Sequence, residues 1–287
     1  RCLFSSTKTL APLFSIVTKK TREGIGLWER CENCELIINR LGVDPQEVES
    51  YYNSTYFQKN SLSKGELLVA KEQFDARIDS VRRIGDYLKQ RINKNMRVFE
   101  LGASTGELLF LLKDHVAYCQ ANEINKKYTL FIKSELNIDS SFENYLEMNV
   151  DKKYDLIISI NTIDHMYDPS LVVNKIYNDL NIGGLLYIEV PNDNQALKEY
   201  LLEPQRSMFK EFMYQKAHYY SFSVKTLRKM LDQLGFQVID ERSNHDYSLK
   251  NYLNWYFTGK SQKQYKEAVG ETALHPGDSD FEIQMNR

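Results

Sequence analysis

"RVFELGASTGELLFLL", residues 97–112, begins as a β-branched and aromatic run and ends with leucines at helical spacing. It predicts a strand, a tight turn and a helix. Gly102 and Gly106 fall where a Cβ would obstruct either the turn or a ligand lying against the backbone, and the helix that follows is expected to aim free amides at the same spot. The spacing is Gly102-x-Ser104-x-Gly106, with Ala103 between, and not the G-x-G-x-x-G of a dinucleotide fingerprint. Glu100, two residues ahead of Gly102, would repel a diphosphate and attract a cation such as the amino end of S-adenosylmethionine (SAM). The plainer alternative is an ordinary strand-to-helix turn of an α/β protein.

At 287 residues, 42% hydrophobic and 26% charged, the chain is long enough for one large α/β domain plus a small appended module. A formal net charge of −2 and the lack of a long basic run give no support to nucleic-acid binding. No apolar stretch approaches the roughly 20 residues of a membrane-spanning helix. A cytoplasmic protein is expected. Residues 1–22 carry basic and hydroxyl side chains and no acid, and are expected to form a hairpin rather than a transit peptide.

Four cysteines in a chain of this size do not make a disulfide framework. Cys31 and Cys34 stand at C-x-x-C spacing in "LWERCENCELIIN", between two strand-like runs, as in a zinc knuckle. Cys2 is a third candidate ligand; its own C-x-x-C partner position is Ser5, a poor zinc ligand. The site is therefore incomplete, closed by a residue upstream, or lost. Cys119 lies in an apolar run and is expected in the core.

Along the rest of the chain strand and helix alternate. A polar, tyrosine-rich connector, "DPQEVESYYNSTYF", precedes one long helical pattern over 62–90. After the glycine turn come a strand at 117–123, a helix at 125–136, a strand near 138–142 and a strong strand at 154–160. A helix over 168–180 is stopped by Asn181 and Gly183-Gly184, the strand "LLYIEVPN" follows, and the last third holds a helix over 224–234 and the strand "FQVIDE". Such alternation means a parallel sheet with crossover helices, which binds ligands beyond the carboxyl ends of its strands. Those ends are polar here. Glu123, 17 residues after Gly106, is placed to accept both hydroxyls of a ribose, or else is a solvated charge. Phe142 could flank an adenine ring, and Glu143 or Asn144 could accept from its amino group. Asn161, Asp164 and His165 fall in the loop after the fourth strand.

Taken in order, "VFELGASTGELL", "ANEINKKY", "YDLIISINTIDHMYDP", "LNIGGLLYIEVPN" and "HYYSFSVKTLRKMLDQLGFQVID" resemble the successive motifs of class I SAM-dependent methyltransferases, over about residues 62–245. The cysteine hairpin with "SYYNSTYF" is similar to the zinc-binding leader of a subset that includes sugar C-methyltransferases, and the tail "YSLKNYLNWYFTGK" resembles bacterial members encoded with polysaccharide or natural-product genes. The resemblance implies a doubly wound, mostly parallel seven-stranded sheet with one antiparallel strand. It implies SAM at the strand ends and a small-molecule acceptor, of which a nucleotide sugar is one candidate. On this basis residues 1–50 form the cysteine module and connector, 51–245 the SAM-binding domain and 246–287 an extension packing on its sheet. Ser104 in place of the family's middle glycine, and Ser5 in place of a cysteine, are departures.

Methyl transfer is an in-line displacement and needs a base only where the acceptor must lose a proton. His165 is the candidate base, because an imidazole titrates near neutrality and this one follows a strand end; alternatively it shapes the cofactor loop. His218 and Tyr220, in "AHYYSFS", are candidates on the acceptor side, or packing residues. Two other classes remain open: a silent SAM-fold binding module, and a nicotinamide-dependent oxidoreductase, which Glu107 disfavours by standing where its third glycine belongs.

Overall fold

The computed structural model describes residues 14–21, 23–54, 69–243 and 249–261. The chain divides into two compact units, Val43–Pro191 with Lys229–Phe236, and Arg1–Gly42 with Asn192–Arg228 and Gln237–Arg287.

The first unit is built on a parallel sheet in the order β6-β5-β4-β7-β8. Its strands are β4 (Arg97–Leu101), β5 (Tyr118–Asn122), β6 (Asp139–Ser141), β7 (Tyr154–Ile160) and β8 (Leu180–Glu189). Every ladder is parallel. Both faces are covered, as a parallel sheet requires. On one, Val98, Leu156 and Ile158 pack with Leu108, Leu109 and Leu112 of helix Glu107–Leu112 and with Ile132 of helix Lys126–Ser134. On the other, Phe99 stacks on Tyr145 at 5.4 Å and meets Tyr154 at 5.0 Å. The chain winds outward from β4 through β5 to β6 and returns to β4's other side as β7, so the order reverses at β4, where a ligand crevice belongs.

Four expectations are corrected here. The single helix over 62–90 is, from Ala70 on, two helices, Ala70–Arg77 and Arg82–Lys89, joined by a 3-10 turn at Ile78–Val81; residues 62–68 lie outside the described ones. The Ser80 hydroxyl donates to the Arg77 carbonyl at 2.7 Å, a local bond that competes with the helical ladder. The tyrosine-rich connector holds a helix, Val48–Asn53, entered through a 3-10 turn whose Asp44 cap accepts from the Gln46 amide at 2.9 Å. The sheet has five strands among the described residues, not seven, and none is antiparallel. Residues 236–241, "FQVIDE", form no strand: Ile239 is 71% exposed, so the run has neither a partner edge nor a buried face to hold it.

The second unit carries an antiparallel sheet in the order β1 (Phe14–Thr21), β2 (Gly24–Cys31), β3 (Ile37–Asn39), β9 (Tyr220–Ser221). Trp28, Ile37 and Tyr214 form one buried cluster, and Leu197, Leu201, Phe209 and Trp255 another. Among the described residues no helix is long and apolar enough to cross a membrane.

Candidate functional site

The loop after β4 turns back on itself through three residues of positive φ, Gly102 (75°), Ser104 (50°) and Gly106 (83°). The two glycines serve different ends. A Cβ at Gly102 would stand 2.2 Å from the Thr162 hydroxyl, in the loop after β7, whereas one at Gly106 would meet Ile132 and Leu136 at 2.9 Å, in the core. Gly102 therefore lets the loop after β7 close on the turn through Thr162, and Gly106 lets the core close on it from Ile132 and Leu136.

The amides of the turn are spent within the protein. Those of Gly102 and Ala103 donate to the Asn122 carbonyl at 2.8 and 3.1 Å, that of Gly106 to the Ala103 carbonyl at 2.8 Å, and that of Ser104 to Glu123 Oε2 at 2.8 Å. The amides of these turn residues are thus consumed at the β4 and β5 ends and within the turn, and are not offered to a diphosphate.

Carboxylates take its place. Glu100 is buried, and its Oε2 has no hydrogen-bond partner. Burial, and then the neighbouring Glu107 carboxylate, hold its carboxyl well above the usual range, with Glu123 adding to the rise and the Arg77 guanidinium opposing it. Glu107 is buried too, accepts from the Thr105 hydroxyl at 2.7 Å, and lies 3.5 Å from Arg77 Nε. Glu123, at the end of β5, accepts from the Asn125 amide at 2.8 Å on Oε1 and from Ser104 on Oε2. Burial pushes it up to about 7 against those bonds. An orphaned buried oxygen among acids fits a cationic guest, and Glu123 retains lone pairs on both oxygens for a diol.

The remaining candidates follow the other strand ends of the same sheet. Phe142 follows β6 and is 52% exposed, with the Lys126 ammonium 5.3 Å from its ring centre. The exposed Glu143 offers its carbonyl to Asn122 Nδ2 at 2.9 Å. Asn161 turns the chain after β7 at φ 47°, its amide donating to the Glu189 carbonyl at 2.8 Å. His165 closes a 3-10 turn, Ile163–His165. Its Nδ1 lies 2.7 Å from the Tyr52 hydroxyl, and its Nε2 3.5 Å from Asp164 Oδ2.

Sequence spacing missed Tyr52, Asn53, Gln73 and Arg77, all of which come from helices ahead of the turn. Helix Val48–Asn53 is pinned beside Glu123 by Asn53, which donates to the Ile124 carbonyl at 3.3 Å and accepts from the Lys126 amide at 3.2 Å. The sole advance sign was a tyrosine cluster in a polar segment.

In the other unit, the His218–Tyr220 segment is tied to β3. Asn39 Nδ2 donates to the His218 carbonyl at 2.9 Å, and the Asn39 amide to that of Tyr219 at 2.8 Å. Tyr219 and Tyr220 are buried. A buried Asp193 braces the same segment, accepting from the hydroxyls of Ser221 at 3.0 Å and Tyr214 at 2.9 Å and from the Lys198 ammonium at 2.7 Å. Cys31 and Cys34 are buried and bracket the turn from β2 toward β3. No third His, Cys, Asp or Glu joins them among the described residues, and Cys2 and Ser5 lie outside those residues. Two thiols do not meet the four ligands that structural zinc requires.

A parallel sheet reversing at β4, with a glycine-bearing turn and an acid at the end of the next strand, defines a Rossmann-like α/β fold. Residues 71–241, more than half of the chain, match the methyltransferase domain family, and the chain belongs to it. It is an enzyme of the SAM-dependent methyltransferase class, with the class I fold. Magnesium protoporphyrin IX methyltransferase from Synechocystis PCC 6803, solved with bound S-adenosylhomocysteine (SAH), superposes with a TM-score of 0.53 at 17% identity, over 71% of this chain and 95% of that one. A SAM-dependent methyltransferase from Archaeoglobus fulgidus gives 0.44 at 19% identity, over 62% and 81%. At these identities the likeness is one of fold. No curated protein matches the sequence.

Proposed function

We propose that this enzyme binds SAM against the 102–106 turn and methylates a small-molecule acceptor of the nucleotide-sugar or natural-product kind. The observation that carries the cofactor assignment is the buried, unpartnered Glu100 oxygen beside Glu107 and Glu123. Bound there, SAM supplies an electrophilic methyl on a sulfonium. Glu100 would hold its ammonium, Glu123 its ribose hydroxyls, and Phe142 with Glu143 its adenine. Gly102 lets Thr162 pack against the turn, and Ala103 and Thr105 are buried within it.

An acceptor hydroxyl, amine or acidic carbon loses a proton as it takes the methyl. His165 is the group to receive it, on Nε2, in the tautomer whose Nδ1–H donates to the Tyr52 hydroxyl, and the Asp164 carboxylate 3.5 Å from Nε2 would stabilise the imidazolium. His218 and Tyr220 are offered as acceptor-side residues, on the strength of a segment braced by Asn39 and Asp193 rather than left as a mobile loop.

Calorimetric titration with SAM and SAH tests the cofactor assignment, and absence of binding overturns it. A mass-spectrometric methyl-transfer screen over nucleotide sugars and amino or hydroxy metabolites tests the acceptor class; transfer confined to protein or nucleic acid would reject it. Metal analysis of protein purified without chelator should find about one zinc per chain only if Cys2 or an upstream residue completes the Cys31–Cys34 pair.

A further inference from the structure

Ser104 occupies a backbone conformation that suits glycine. At φ 50° a residue with a Cβ crowds its own carbonyl, and isolated L residues rarely adopt it unless something holds them there. What Ser104 does in that conformation is direct its amide to Glu123 Oε2 at 2.8 Å, so the carboxylate assigned to the ribose takes its position from residue 104.

The hydroxyl of the same serine is engaged from the opposite side. Gln73, 1% exposed on helix Ala70–Arg77, donates from Nε2 to Ser104 Oγ at 3.2 Å, and its Oε1 accepts from the Tyr128 hydroxyl at 2.6 Å. Tyr128 is itself buried on helix Lys126–Ser134, whose N-cap Asn125 is the other amide on Glu123. The result is a continuous chain, Tyr128–Gln73–Ser104–Glu123, crossing from one helix to another and ending on the cofactor carboxylate. A buried glutamine kept only for packing would need an acceptor for its amide wherever one was available. Here that acceptor is Ser104, the one non-glycine among the turn's three residues of positive φ.

We propose that Gln73 is a positioning residue for the cofactor: it straps Ser104 into its left-handed conformation and thereby sets Glu123 for the ribose. The proposal rests on the assignment of SAM to the 102–106 turn. Its consequence is that Gln73 matters only because residue 104 is not glycine. A glycine there reaches the same conformation without a strap, so the two positions are coupled in a predictable sense.

Titration of SAH by calorimetry, alongside urea unfolding of each variant, tests this. Gln73→Met, which keeps the volume and removes the polar contacts, should weaken SAH about three- to tenfold. Whatever the affinity of Ser104→Gly itself, adding Gln73→Met to it should cost nothing further. Ser104→Ala, which leaves Gln73 and its packing in place, should lose about as much as Gln73→Met, giving an independent arm if that variant does not fold. Equal losses from Gln73→Met in the serine and glycine backgrounds would mean a merely structural glutamine and overturn the proposal, as would Ser104→Ala binding like the parent. If the parent itself binds no SAH, the cofactor assignment fails first and the strap falls with it; parent binding without coupling defeats the strap alone.

Discussion

A Cβ at Gly102 and one at Gly106 meet different things, and the two glycines should fail differently. Gly102→Ala presses on Thr162 in the loop after β7, so SAH affinity should fall at least tenfold together with a loss of stability in urea unfolding. Gly106→Ala presses on Ile132 and Leu136 in the core and should lower stability by about 1–3 kcal/mol before any effect on binding. The reverse pattern would mean that the turn faces the cofactor with its other side. Glu123 makes a second prediction, about pH. Its carboxyl is raised to about 7 from 4.5, so between those values the folded chain keeps a proton that the unfolded chain has lost. That contribution to stability is complete below pH 4.5 and disappears as pH rises through 7. The free protein should therefore melt progressively lower from pH 5 to pH 8, and Glu123→Gln should flatten that slope. A cationic cofactor reverses the preference for the neutral acid, so SAM should raise the melting temperature more at pH 8 than at pH 5.5. A pH-independent increment would remove Glu123 from the cofactor's surroundings.

Elements were legible where their own residues determine them. β7 was legible from its apolar run, helix Pro169–Asp179 from Asp168-Pro169, and the turn at Gly235 from a glycine at φ 87°. Helix Lys126–Ser134 shows how one cap serves two purposes. Asn125 Oδ1 accepts from the amides of Lys127 and Tyr128, while its Nδ2 donates to the Tyr52 carbonyl at 3.2 Å. Asn125→Ala should lose about 1–2 kcal/mol in urea unfolding. It should also weaken SAH, because helix Val48–Asn53 is released from the Glu123 loop; a stability loss without a binding loss would separate that helix from the cofactor. The run at 236–241 had the composition of a strand but lacks a ladder, since strand residues become a strand only where an edge is offered.

Across the molecule, catalysis is tested through His165. If it takes the acceptor's proton, His165→Ala should leave SAM affinity within a few-fold of the parent and lower turnover about 10²–10⁴-fold, and the variant should lose the acid limb of the parent's rate profile. Affinity and turnover falling together would make it a residue of the cofactor loop. Tyr52→Phe should change the profile in the same direction and by less, because it removes the ring's 2.7 Å partner and not the ring. The sequence by itself determined the parallel α/β order, the glycine turn at β4, the acid preceding it and the acid one strand later, because each depends on spacing along a single strand–turn–helix unit. Only the tertiary structure decided that the turn's amides are consumed by Asn122 and Glu123, that Gln73, Arg77 and Tyr52 reach the site from helices far upstream, and that β3 pairs with the Tyr220 segment. Those are contacts between residues separated by tens to hundreds of positions, set by how buried faces find one another, and no local period encodes them.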